Sequence, residues 1–238
     1  MPATRTVPSV LALRQLHLLQ ACSDATLQRI AALCSWRTVA AKKPVFTRTS
    51  PGNDVYFLLS GQVRITTYSE QGRETAFRDY TGGEHFGDLS AIDGAQRSAD
   101  VIALQDSQLI SMTRADFLAV LAHDPALALR MMQHLTQLVR QLTCRVVELS
   151  TLSVPTRLHM ELLRLAQPVQ PDGSARIDPS PTHAALASQI STNREQVARE
   201  LSALTQQGLL KKEGRRVLHI ASVHALQALV ATASTPSP

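Results

Sequence analysis

The period of the apolar positions changes twice along the chain, and each change marks a new kind of element. Over residues 9–35, Leu13, Leu16, Leu19, Leu27, Ile30 and Leu33 recur at three, four or multiples of a turn, which predicts helix. From Val39 the pattern turns to short β-rich runs. "DVYFLLSGQVRITTYSEQGRETAFRDY" predicts successive hairpins, turning at Ser60-Gly61 and at Glu70-Gln71-Gly72. "RSADVIALQDSQLISMT" extends the alternation with a turn near Gln105–Ser107. Gly52, Gly61, Gly72, Gly82, Gly83, Gly87 and Gly94 fall in or near these turns, at the spacing of a compact antiparallel roll.

After Thr113 the period is helical again. "RADFLAVLA" predicts a short helix, and "HDPALALRMMQHLTQLVRQLTCRVVELSTLS" a long one, with Asp124 as N-cap and Pro125 in the first turn. Leu135, Leu142 and Leu149 recur every seven residues, a repeat that predicts packing against a like helix. Val139, Val146 and Val147 widen the stripe, so it also suits burial on its own domain. Ser153-Val154-Pro155 reads as a hinge. Beyond it come a helix over about 156–166, a loop "QPVQPDGSARIDPSP", two short helices, a hairpin and a frayed tail over 232–238.

"THAALASQISTNREQVARELSALTQQGLL" reads as helix, three-residue turn, helix. Thr182 caps the first helix; Thr192 or Asn193 caps the second, which buries Val197, Leu201 and Leu204 and stops at Gly208. Arg194, Glu195 and Arg199 occupy the other side of that second helix. An arginine gains nothing from the dipole at a helix start. Its fork does match the guanine O6/N7 edge, and Glu accepts from cytosine N4. The arrangement is that of a helix-turn-helix reader of double-stranded DNA. A solvated face with Glu195–Arg199 paired at i,i+4 is the competing account. "LLKKEGRRVLHI" adds a hairpin tip where Lys211, Lys212, Arg215 and Arg216 surround a glycine, suited to phosphates.

One stretch, "GDLSAIDGAQRSAD" (87–100), fits neither an ordinary buried strand nor an amphipathic helix. If Gly87 ends a strand and 88–93 make a helical turn, the free N–H groups of that turn form an anion site. Arg97 then supplies a charge-assisted phosphate partner and Ser98 a hydroxyl. Asp88 repels phosphate but suits a neighbouring sugar hydroxyl, so the set fits a nucleotide. An Asp88–Arg97 ion pair joining two turns is the alternative.

Composition narrows these readings. At 238 residues the chain suits two modest domains, and 44% hydrophobic residues supply a packed core. No apolar run approaches the roughly 20 residues of a membrane span, and the N-terminus lacks the pattern of a signal peptide; a cytoplasmic protein is expected. Cys22, Cys34 and Cys144 lack metal-ligand spacing and are expected as buried free thiols, without disulfide, cluster or bound metal. The net charge of +5 is compatible with nucleic acid. No catalytic triad or Walker loop is found, so no enzyme is expected.

On these residues the chain resembles the Crp–Fnr family of bacterial transcription regulators, in its cyclic-AMP-receptor-like branch, from about Asp54 to Ser222. "GDLSAIDGAQRSA" resembles the phosphate-binding cassette and "STNREQVARELSAL" the recognition helix. The resemblance implies an α+β architecture: an N-terminal antiparallel, jelly-roll-like β-roll that binds cyclic nucleotide (1–123), a central dimerisation helix with hinge (124–153), and a C-terminal winged helix-turn-helix (154–231). It implies that Gly87 and Leu89 offer backbone N–H groups, Asp88 binds the ribose 2'-hydroxyl, and Arg97 and Ser98 hold the cyclic phosphate. Thr143, after Leu142, falls where the family's long helix offers a hydroxyl to the base. Arg194, Glu195 and Arg199 match the pattern that reads TGTGA-like half-sites of a palindrome. The implied partners are DNA, a second copy of the chain, RNA polymerase and cyclic AMP as a non-covalent ligand. Asp88 stands where the family usually has Glu, and Leu142 where another hydroxyl is common. Cyclic GMP, cyclic di-GMP or no effector therefore remain as alternatives. His85, beside the cassette, is expected at the surface rather than as a haem ligand.

Overall fold

The structure is a computed structural model that describes residues 7–68, 74–166, 168–214 and 216–233. The chain divides into two compact units, Met1–Leu138 and Val139–Pro238. The first opens with α1 (Val10–Arg14) and α2 (Asp24–Leu33), capped by Ser9 and Ser23. The single helical period of residues 9–35 is thus two helices. Strands follow: β1 (Cys34–Val39), β2 (Pro44–Phe46), β3 (Val55–Ser60), β4 (Gln62–Tyr68), β5 (Glu74–Thr81) and β6 (His85–Phe86). Then come α3 (Asp88–Asp93), β7 (Asp100–Ala103), β8 (Ser107–Met112) and α4 (Arg114–His123). The turn expected at Glu70-Gln71-Gly72 lies outside the described residues, but β4 and β5 pair on either side of it, Tyr68 opposite Glu74.

Two four-stranded antiparallel sheets result, ordered β1-β8-β3-β6 and β2-β7-β4-β5. Val45, Phe46, Tyr56, Leu58, Val63, Phe86, Val101 and Leu109 fill the space between them. On β3 the alternation is buried on both sides. Tyr56 and Leu58 face the other sheet, while Val55 and Phe57 face a helical layer built from Leu13, Leu16, Leu27, Ile30, Phe117, Leu127 and Met131. That layer includes the start of α5 (Pro125–Thr151), whose N-terminus Asp124 caps by accepting from the Leu127 N–H at 2.9 Å.

Beyond the roll, α5 carries exposed Leu129, Met132, Val139, Leu142, Val146 and Val147. Its helical register places there an apolar face that the described residues leave exposed. Cys22 and Cys34 are buried as expected, but Cys144 is exposed, because it lies on the uncovered part of α5.

The second unit contains α6 (Val154–Leu165), capped by Ser153 with proline in its first turn, β9 (Ala175–Ile177), α7 (His183–Gln189) and α8 (Arg194–Gln206). It closes with β10 (Leu210–Glu213), β11 (Val217–Ile220) and α9 (Val223–Ala233). Its core joins Leu158, Leu162, Leu186, Val197, Leu204, Leu218 and Leu226. Two elements were not expected from the pattern. β9 completes a β10-β11-β9 sheet from within the Pro/Gly-rich loop, because only Ala175 and Ile177 of its three residues need burial. α9 runs through Thr232 and Ala233, the first residues of the expected tail; residues 234–238 lie outside the described residues.

Candidate functional site

Between His85 and Ser98 the chain assembles the cassette. Gly87 caps α3 at φ 83°. A Cβ there would come within 2.8 Å of both Arg97 Nη1 and the Asp54 carbonyl oxygen. Glycine therefore serves the left-handed backbone and makes room for the guanidinium.

Arg97 is 5% exposed and turned inward. Its Nη1 donates to the Gly87 carbonyl (3.2 Å) and to Ser90 Oγ (2.8 Å), and its Nη2 to the Asp54 carbonyl (2.9 Å). The guanidinium carbon lies 4.1 Å over the Phe46 ring. Nε is buried with no hydrogen-bond partner. Burial lowers the arginine's pKa, while Tyr56 and Asp54 act to raise it. Among the described residues no carboxylate is a hydrogen-bond partner of Arg97, and Asp88 and Arg97 form no ion pair. A cation held by three neutral acceptors and a ring, with one N–H unmet, is set up to receive an anion.

The cavity beside it measures about 70 Å³ and is lined by Phe46, Ile65, Tyr80, Leu89, Arg97 and Ser98, among others. That holds a few waters and falls short of the roughly 300 Å³ at which ligand pockets begin. Leu89 and Ser98 are exposed. A larger cleft of about 380 Å³ lies between the loops 48–53 and 94–96, but none of the cassette's buried groups lines it.

Asp88 is buried, and that burial raises its pKa against the pull of the Asp88 and Leu89 amides and of His134. Its Oδ2 has no partner. His85 is not at the surface as expected; it is 5% exposed. The cause is its register: it pairs with Phe57 on the helix-covered face of the sheet, and its ring centroid lies 4.4 Å from that of His134 on α5. Burial, aided by His134, His17 and Arg78, holds its pKa down to about 3. Leu142 and Thr143 lie further along α5, in the second unit; Leu142 is exposed, and Thr143 Oγ1 donates to the Val139 carbonyl at 2.9 Å.

In the second unit, Thr182 caps α7 and is exposed. Asn193, not Thr192, caps α8, accepting from the Gln196 N–H at 2.8 Å. Thr192, expected at the DNA, is instead buried, its hydroxyl held by Gln196 and its N–H by the Ala187 carbonyl at 2.9 Å. It fixes the turn. Arg194, Glu195 and Arg199 are exposed together on the open side of α8, and among the described residues Glu195 and Arg199 form no ion pair with each other. Lys211, Lys212 and Arg216 are exposed around the β10–β11 turn; Arg215 lies outside the described residues. Glu213 is drawn off by Arg176. Burial first, then Lys212 and Arg194, lower the pKa of His183, which places α7, the start of α8 and the hairpin in one cationic neighbourhood. The sequence reading missed Ser90, Phe46 and the Asp54 carbonyl as supports of Arg97. Ser90 lay inside the quoted cassette; the other two come from strands and loops far off in sequence.

Comparison with known proteins gives two family matches: "Cyclic nucleotide-binding domain" over residues 36–124 and "Crp-like helix-turn-helix domain" over 156–229. The "Cyclic AMP receptor protein" of Thermus thermophilus is 31% identical over 170 residues, 71% of this chain and 76% of that protein. The "CRP-like cAMP-activated global transcriptional regulator" of Mycobacterium tuberculosis is 27% identical over 176 residues, 73% and 79%. Among solved structures, the c-di-GMP responsive regulator CLP of Xanthomonas campestris superposes with TM-score 0.72 at 22% identity, over 82% of this chain and 98% of that one. CooA of Carboxydothermus hydrogenoformans does so with TM-score 0.75 at 18%, over 95% and 98%. At these identities the two structures bear on the fold alone.

Proposed function

The chain belongs to the Crp–Fnr family of transcription regulators, and on that premise we propose a cytoplasmic homodimer that reads a palindromic, TGTGA-like DNA site under the control of a cyclic nucleotide. The observation that carries the effector half is Arg97: buried, its Nε unpartnered, beside a cavity lined with Ser98 and the start of α3. A phosphate satisfies that donor, whose isolation otherwise costs about 1–3 kcal/mol. Asp88 accepts from a ribose hydroxyl, Gly87 and Leu89 contribute backbone N–H groups, and Tyr80, Ile65 and Phe46 give apolar surface to the rest of the ligand. Thr143 and Leu142, on a helix paired with its copy, bring the dimer partner to the base. Since the cavity is small, the nucleotide enters by outward movement of the Leu89 side.

Arg194, Glu195 and Arg199 read base edges from the major groove, Thr182, Lys211, Lys212, Arg215 and Arg216 hold phosphates, and two such heads span successive grooves about 34 Å apart. RNA polymerase is the further partner of such a regulator. Cyclic AMP is the first effector to test. The shorter Asp88 favours a second reading, cyclic di-GMP or cyclic GMP, and the small cavity a third, an effector-independent dimer. Calorimetry with all three nucleotides separates them. Saturable binding that Arg97→Lys weakens at least tenfold supports the pocket; no heat with any of them leaves the effector-free dimer.

A further inference from the structure

At the cassette, three metal-ligating side chains meet: His85 of β6, Asp88 of α3 and His134 of α5. One ligand atom of each lies within 4.8 Å of the other two. His85 and Asp88 are 5% and 6% exposed, and His85 Nε2 and Asp88 Oδ2 are both buried with no hydrogen-bond partner. Two buried polar atoms without partners, side by side, are costly, and native interiors rarely leave them so. We propose that His85, Asp88 and His134 bind a first-row divalent transition ion of the zinc class, as a two-histidine, one-carboxylate site with its fourth position open.

The chemistry of the set selects the metal. Two imidazoles and a carboxylate, without thiolate, suit Zn²⁺, Fe²⁺, Co²⁺ or Ni²⁺ rather than Mg²⁺ or a thiophilic ion. A histidine ligates through a neutral ring nitrogen, and His85 offers a buried Nε2 that no hydrogen bond occupies. Bonds of about 2.0–2.2 Å to one ion are compatible with ligand atoms that all lie within 4.8 Å of one another. His134, half-buried on α5, is the most accessible of the three ligands. The ion would pin the cassette to α5, the helix that carries the exposed apolar stripe. It would also share the Asp88 carboxylate with any ribose, one oxygen each. The site nevertheless stands apart from the nucleotide proposal, since its ligands need no nucleotide.

The test is Co²⁺ and Zn²⁺ binding to the full-length, untagged, chelator-treated protein without nucleotide. We expect about one ion per chain, with visible Co²⁺ d–d bands and no sulfur-to-metal charge-transfer band. His134→Gln, at a half-buried position, should cost more than the roughly 10–100-fold that loss of an outer-shell partner costs. Asp88→Asn, close to isosteric, gives a second loss if the histidine variant fails to fold. His224→Gln, exposed in the second unit, should bind as the parent does. Zn²⁺ should raise the melting temperature of the parent and not of His134→Gln. Absence of saturable binding at millimolar metal overturns the site, as does binding that survives His134→Gln or that disappears with Cys144→Ser.

Discussion

Arg97 carries two loads at once, and they separate by substitution. Its guanidinium holds the carbonyls of Gly87 and Asp54 and the Ser90 hydroxyl while lying on Phe46. Arg97→Ala should therefore abolish nucleotide binding and also lower stability by about 1–3 kcal/mol, read by chemical denaturation. The stability cost is not legible in the sequence, because the three acceptors are two backbone carbonyls distant from Arg97 or across the turn and a serine whose role only coordinates reveal. His183 gives a second residue-scale prediction. Lys212 and Arg194 help depress its pKa in the free protein; DNA phosphates beside those cations would raise it. The complex then takes up a proton, so affinity should rise as pH falls through the bound pKa and level off below the free pKa, which burial and the two cations hold under the ordinary histidine value. Each unit of difference is worth up to about tenfold. Binding isotherms from pH 5.5 to 8 check this, and His183→Gln should flatten the profile. The chemistry of 87–98 was legible at this scale because glycine, arginine and a carboxylate have few other reasons to cluster. His85 was not, since its burial depends on which face of β6 meets α5.

Elements divide the work between affinity and selectivity. On α8, Arg194→Ala should cost about 1–3 kcal/mol at one base pair and relax the preference there, whereas Lys212→Ala on the β10–β11 hairpin should weaken all sequences alike and reduce the salt slope by about one. Competition binding on single-base variants at several salt concentrations distinguishes the two. On α5, Val146 is 63% exposed in the single chain. Val146→Glu should leave the monomer's melting nearly unchanged yet shift the dimer to monomer in sedimentation equilibrium. Long elements with strong periodicity (α5, α8, β3 and β4) could be read directly from the chain. The three-residue β9 could not, because its pairing is set by β11 rather than by any local preference. Nor could the end of α9, an apolar helix with no stop signal before its last turn.

For the whole molecule, regulation of the proposed kind needs two functions in separate compact units to be energetically linked. In the proposed function the β-roll would supply the pocket and the second unit the DNA-facing groups, and α5 has residues in both units. Around Ser153 the connection is stiffened: Arg157 donates to the carbonyls of Leu152 (3.0 Å) and Ile190 (3.1 Å), fastening the end of α5 to the turn before α8. A ligand shifts such a system only through a difference in its affinity for the DNA-competent and incompetent states, and DNA must alter ligand affinity by the same factor. The direct measurement is DNA affinity for a labelled palindrome, with and without saturating cyclic nucleotide, in parent and Arg97→Lys protein. Nucleotide should raise the parent's DNA affinity roughly 5- to 150-fold and leave the variant's unchanged. Equal DNA affinity with and without nucleotide in the parent would contradict it.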